Sequence, residues 1–164
     1  MAFLWIVVTY FLLIWIALRL LVPNLGFRKE PLGAVVPESL MDTISKIDGE
    51  SVDKHDFLRR CYEHVTKKYY GSRVKTVTHF WTAFKNPVNQ SPGFMPCTNQ
   101  NYLLRLMLVK SGRFQESDIK VKVIPLNLFV HRYLYVRVDG EWIDVDPWSS
   151  FIGVPLGKKS AFIG

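Results

Sequence analysis

The sequence predicts an α+β domain, helices first and an antiparallel sheet after them, preceded by a single hydrophobic helix. Three observations carry this. An apolar run fills residues 2–22, two segments between residues 53 and 112 repeat apolar residues at helical spacing, and residues 119–145 alternate as strands do. Helices followed by strands, rather than the two alternating, is the α+β order.

From Ala2 to Val22 only Thr9, Tyr10 and Arg19 depart from small or apolar residues. That is about the length of helix needed to cross ~30 Å of hydrocarbon, with Arg19 near one end where its stem can reach the interface. No Lys or Arg precedes the run, and no small-x-small site follows it before Pro23. These features favour an uncleaved anchor over a signal peptide. Arg19, Arg28 and Lys29 flank its C-terminal side, so the positive-inside bias places the body in the cytoplasm, as a single-pass membrane protein. The expected partners are therefore a lipid bilayer through residues 2–22, a protein or peptide substrate, and a membrane protein beside the anchor.

Residues 23–36 hold Pro23, Gly26, Pro31 and Gly33 without periodicity and read as a linker. The domain then occupies 37–164, a fair size for one core. A short helix is expected from Pro37 to Ile47, closed by Gly49. The next begins after Ser51, with Phe57, Leu58, Cys61, Tyr62, Val65 and Tyr69 on one stripe, Asp53 and Asp56 in its first turn, Lys67 and Lys68 in its last, and Gly71 as its stop. Residues 72–96 lose all periodicity and read as a loop. Leu103, Leu104, Met107 and Leu108 define a third helix that Gly112 ends. Strands follow at 119–124, 128–138 and 141–145, with Asp139-Gly140 a strong two-residue hairpin turn.

The chain has 21 Lys and Arg against 14 Asp and Glu, a net charge of +7, or +6 for the body without Arg19. The basic residues are scattered and no nucleic-acid motif appears, so nucleic acid is not an expected partner. His55, His64 and His79 have no companion at metal-ligand spacing, and neither a metal nor another cofactor is expected.

Two cysteines are too few for a disulfide framework, and their surroundings differ. Cys61 lies on an apolar helical stripe and reads as a packing residue. Cys97 follows Pro96 at a helix start, where free N–H groups and the helix dipole favour a thiolate. A thiol nucleophile needs a base, and the base an orienting group. If Asp139 and Gly140 are the turn residues, Val138 opposes Glu141, Tyr133 opposes Asp146, and His131 and Asp146 become diagonal neighbours on one face. Asp144 shares that parity but opposes Tyr135, one step further away.

Pro96-Cys97 opening a helix, His131-Arg132-Tyr133 in a strand, and the run from Gly140-Glu141-Trp142 to Asp146-Pro147-Trp148 resemble the transglutaminase-like superfamily over residues 93–148. The resemblance implies a papain-like core, with helices packed on an antiparallel sheet. It also implies Cys97 as nucleophile, His131 as general base and Asp146 as the residue orienting the histidine. One oxyanion donor would be the Cys97 N–H, and a second could come from Trp81, Asn89 or Gln90.

The activity so implied is thiol acyl transfer, with hydrolysis of peptide or glutamine-type amides favoured over cross-linking. A non-catalytic scaffold at the membrane is the alternative, and an arylamine-acetyltransferase-like enzyme would share the three residues.

Overall fold

The computed structural model describes residues 1–21, 29–126 and 129–160. Its helices are α1 (Ala2–Leu21), α2 (Glu38–Glu50), α3 (Lys54–Lys68), α4 (Arg73–Thr78) and α5 (Cys97–Lys110). Strands β1 (Tyr69–Tyr70) and β2 (Gly93–Phe94) form a small parallel pair. Strands β3 (Ile119–Leu126), β4 (Phe129–Val138) and β5 (Glu141–Val145) form an antiparallel sheet in that order. This is a small α+β fold with two small sheets, where one sheet and three helices were expected in the domain.

The membrane anchor is corrected. A helix forms over Ala2–Leu21, but no helix among the described residues is long and apolar enough to cross a membrane. The single-pass assignment and the cytoplasmic placement built on it fall together. Arg19 and Arg28, the flanking charges expected at the end of the run, have side chains outside the described ones.

Part of the expected linker instead lies against the domain. Lys29 Nζ donates to the carbonyls of Glu116 and Ile119, at 2.5 and 2.6 Å, and Gly33 N–H donates to the Tyr102 hydroxyl at 2.8 Å. Residues 22–28 are outside the described part.

Helix α3 starts where its cap predicts, the Asp53 side chain accepting the Asp56 N–H at 2.7 Å. It buries Phe57, Leu58, Cys61, Tyr62 and Val65. Two expected stops differ. Gly49 lies inside α2, which runs to Glu50, and α3 ends at Lys68, three residues before Gly71. In both places the chain continues until a tertiary contact turns it. Arg113 binds the Asp48 carbonyl in the last turn of α2 and the Ser51 carbonyl just beyond it, and β1 pairs with β2 beyond α3.

Helix α5 is the centre of the molecule, buried on nearly every side, with Leu103, Leu104, Met107 and Leu108 packed among α3 residues and the sheet residues Ile119, Leu134, Val136 and Val145. A helix enclosed all round needs its polar residues satisfied inside. Gln100 Nε2 donates to Met95 O at 2.9 Å, and Asn101 Nδ2 donates to Arg132 O at 2.7 Å, so amide side chains tie α5 to the loop before it and to β4. The hairpin register is the one counted from Asp139-Gly140, with Val138 opposite Glu141 and Leu134 opposite Val145. Both turn residues have positive φ, 49° and 92°, as a type I′ turn requires.

Candidate active site

Cys97 is the first residue of α5 and is half-buried. The first intrahelical bonds are donated by Asn99 and Gln100 to Pro96 O. The N–H groups of Cys97 and Thr98 precede them and point out of the helix end, where they can stabilise negative charge.

His131 lies in β4 and Asp146 immediately follows β5. Their placement follows from the hairpin register, and His131 Nε2 stands 2.8 Å from Asp146 Oδ2. Both residues are almost completely buried. With Nε2 committed to Asp146, Nδ1 is the ring atom left for the thiol, and Cys97 and His131 share a side-chain hydrogen bond. The structure therefore brings Cys97, His131 and Asp146 into one hydrogen-bonded chain.

The electrostatics of the three are coupled. Burial pushes the Cys97 thiol up, but the hydrogen bond and charge of His131, with the Arg132 N–H donating to sulfur, outweigh it and hold the thiol below its ordinary value. For His131 burial works against the charged ring, and Asp146 and Cys97 prevail, pushing its pKa up to about 10. Burial likewise opposes the charge of Asp146, and His131 with Ser160 and Ser149 keeps its carboxyl below the usual range. The arrangement favours a thiolate–imidazolium pair. Cys61 is the contrast, a free thiol with no exposed surface whose pKa burial raises steeply.

The cage around Asp146 was not read from the sequence. Ser149 N–H donates to Oδ1 at 3.2 Å, while Ser160 donates to Oδ2 through both its N–H, at 3.1 Å, and its hydroxyl, at 2.9 Å. The hydroxyls of Ser149 and Ser160 also bond to each other. Trp148 covers the other side of the histidine, the ring centroids 5.0 Å apart, and Phe151 stands edge-on to Trp148. Asp146-Pro147 opening the short 3-10 turn at Trp148–Ile152 was a usable signal for Ser149, since a carboxylate before a helical turn accepts an N–H about three residues on. Ser160 had none, being fourteen residues away in an irregular segment.

Asp144 opposes Tyr135 and points its carboxylate toward Lys159, 3.6 Å away. The three residues considered as second oxyanion donors sit in the loop ahead of α5, and their described side-chain contacts are within that loop, while the Gln90 carbonyl accepts the Tyr69 hydroxyl of β1 at 3.0 Å. The half-exposed Trp81 packs against His79 and Phe80. Gln90 Nε2 reaches the carbonyls of Thr82 and Lys85, both at 3.4 Å. Asn89 lines an open cleft with Thr82, Lys85 and Phe94. Asn99, on α5, donates to the same two carbonyls and so fixes this loop against the helix start.

Among the described residues no group of three or more His, Cys, Asp or Glu side chains is placed to hold a metal ion. No family model, no curated protein and no solved structure matches the chain, so no relative supports a protease or hydrolase assignment.

Proposed function

We propose that this chain is a thiol acyl-transfer enzyme of transglutaminase-like type, acting on a carboxamide or peptide amide. The observation that carries this is the Cys97–His131–Asp146 chain, with its thiol held low and its histidine held high.

The Cys97 thiolate attacks the carbonyl carbon, and the negative charge gathering on oxygen is met by the free N–H of Cys97 at the end of α5. The imidazolium of His131 gives its proton to the leaving nitrogen, the C–N bond breaks, and ammonia or an amine departs from a thioester. His131, now neutral, takes a proton from water or a second amine as that acceptor attacks. The C–S bond breaks and the thiolate is restored beside the protonated ring. Asp146 holds the ring oriented throughout and stabilises its charged form.

Iodoacetamide labelling of the full chain across pH tests the reading. Cys97 should react well below the ordinary thiol value of about 8.5, and His131→Ala should remove that advantage. A burst of p-nitrophenol from p-nitrophenyl acetate, leaving an acetyl group on Cys97, should accompany it. A thiol that titrates ordinarily whether or not His131 is present would give the assignment to the non-catalytic scaffold.

A further inference from the structure

The segment between α3 and α5 carries apolar side chains that the core does not take up. Val74 in α4 is 70% exposed, and Val77, Phe80, Trp81 and Phe84, in α4 and the 3-10 turn at Phe80–Phe84, are 48–52% exposed. Ring contacts join them to their neighbours. Trp81 meets His79 and Phe80 at centroid distances of 5.1 and 5.6 Å, His79 meets Phe94, and Phe94 meets the exposed Tyr70. Val74 shares an open cleft with the exposed Phe151 and Ile152. A contiguous apolar surface left open to solvent marks a contact with something else.

The charge of this surface has one sign. Arg73, Lys75 and Lys85 are interleaved with the apolar residues, and between Glu63 and Glu116 the sequence contains no Asp or Glu. Nor does the fold bring a carboxylate in. Lys75 donates to the Tyr70 hydroxyl and lies over that ring, 5.0 Å from its centroid, and none of the three cations forms an ion pair among the described residues. The clefts flanking the patch, one lined by Thr82, Lys85 and Phe94 and the other by Arg73, Val74 and Phe151, include no acidic residue.

Apolar rings set among cations suit either a protein or a lipid surface, and two features favour the lipid. Protein interfaces are enriched in Arg and depleted in Lys, whereas two of these three cations are Lys. The patch is also carried on short helical turns, which offer no strand edge to a peptide. Phe and Trp at the acyl boundary, with Lys and Arg reaching the headgroups from apolar stems, are the parts of an interfacial contact.

We infer that the surface over residues 73–85 seats on an anionic lipid surface. Its apolar side chains enter the headgroup boundary, and Arg73, Lys75 and Lys85 meet the lipid anions. This is a contact on one face of a bilayer, distinct from a crossing, and it requires neither α1 nor the acyl-transfer reading. Asn99, in the first turn of α5, holds the carbonyls of Thr82 and Lys85, so the helix that carries Cys97 is fixed relative to the seated surface.

Vesicles of phosphatidylcholine, with and without phosphatidylserine, test this on the full chain when they contain a lipid bearing a photoactivated carbene precursor near its headgroup. Mass spectrometry then locates the label, so that contact by residues 73–85 is read apart from contact by α1. Label on 73–85 should require phosphatidylserine and fall as salt is raised. Arg73→Gln with Lys85→Gln should reduce it, by about fivefold for each cation removed, the weight of one Lys or Arg beside an anionic leaflet. Lys120→Gln with Lys122→Gln, the same charge change on β3, should reduce it far less. All four substituted residues are exposed, so both variants should fold. Label confined to α1, label on 73–85 that ignores phosphatidylserine, or an equal loss in the β3 pair overturns the inference. Capture of a polyglutamate peptide with no label from vesicles does so too, and gives the surface to an acidic protein.

Discussion

Replacing Gly71 by alanine should cost far more than a methyl group ordinarily does. A Cβ at this position would stand 2.3 Å from Trp148 O, 2.7 Å from Phe151 Cδ1 and 2.9 Å from Trp148 Cδ1. Real Cβ atoms do not approach so closely, and one obstacle is backbone, which cannot rotate aside. The 148–152 turn has to shift by an appreciable fraction of an ångström, and overpacking of this kind costs about 1–3 kcal/mol or more. We expect about 2–3 kcal/mol, a fall of roughly 1 M or more in the urea midpoint. Because the displaced Trp148 ring packs on His131, Cys97 alkylation should slow as well, in protein that is still folded. Gly49 provides the matched control. It lies within α2, and a Cβ there meets nothing within 4 Å. The same substitution should stabilise the chain by up to about 1 kcal/mol through reduced unfolded-state entropy. Equilibrium urea unfolding of both variants decides the matter. A Gly71→Ala midpoint within error of wild type would refute the close approach of β1 to the turn covering the site.

Other outcomes follow from the same geometry. Ser160→Ala removes the hydroxyl donor to Asp146, a bond to a buried charge worth about 1.5–3 kcal/mol, and should move the pH midpoint of Cys97 alkylation upward, with Ser160→Thr restoring it. An unmoved midpoint would assign Ser160 a packing role alone. The two buried charges also set how stability varies with pH. Asp146 has its pKa lowered by folding, so its contribution is present above the ordinary carboxylate value and lost as pH falls through the folded one. His131 has its pKa raised, so its contribution is complete below about 6.5 and lost as pH rises through about 10. Asp146→Asn should flatten the acid limb and bring the alkaline loss to lower pH in denaturant titrations, and unchanged limbs would contradict the pairing. Finally, a neutral alkylating reagent should label one cysteine in the native protein and both after denaturation, while Cys61→Ser should cost about 1–3 kcal/mol for a hydroxyl placed in an apolar core.

What the sequence made legible was what repeats or what is counted. The stripe on α3 and its Asp53 cap are local signals, and Asp139-Gly140 fixes a register that brings His131 beside Asp146 by arithmetic on one hairpin. Groups brought together by the chain's irregular segments were not legible. Ser160 reaches Asp146 from a segment with no period, and Glu30 reaches Arg132 from a stretch whose prolines and glycines look like a linker. The N-terminal run shows the opposite failing. Composition and length of the run predict a crossing of the bilayer, whereas no helix among the described residues is long and apolar enough to make one. The two helix stops were misplaced for a related reason, since glycine marks where a helix can end and tertiary pairing decides where it does.

The separation of the two thiols also bears on redox chemistry. A thiolate at the open end of a helix is the form that peroxide oxidises to a sulfenic acid, and many proteins rescue that product by closing a disulfide with a nearby cysteine. Cys61, the second cysteine in the sequence, is sealed in the core between α3 and its neighbours and is held in the unreactive thiol form. Cys61 is therefore closed to the role of resolving partner for an oxidised Cys97, and a sulfenic acid formed there would have to meet a thiol from elsewhere before further oxidation carried it to the sulfinic acid.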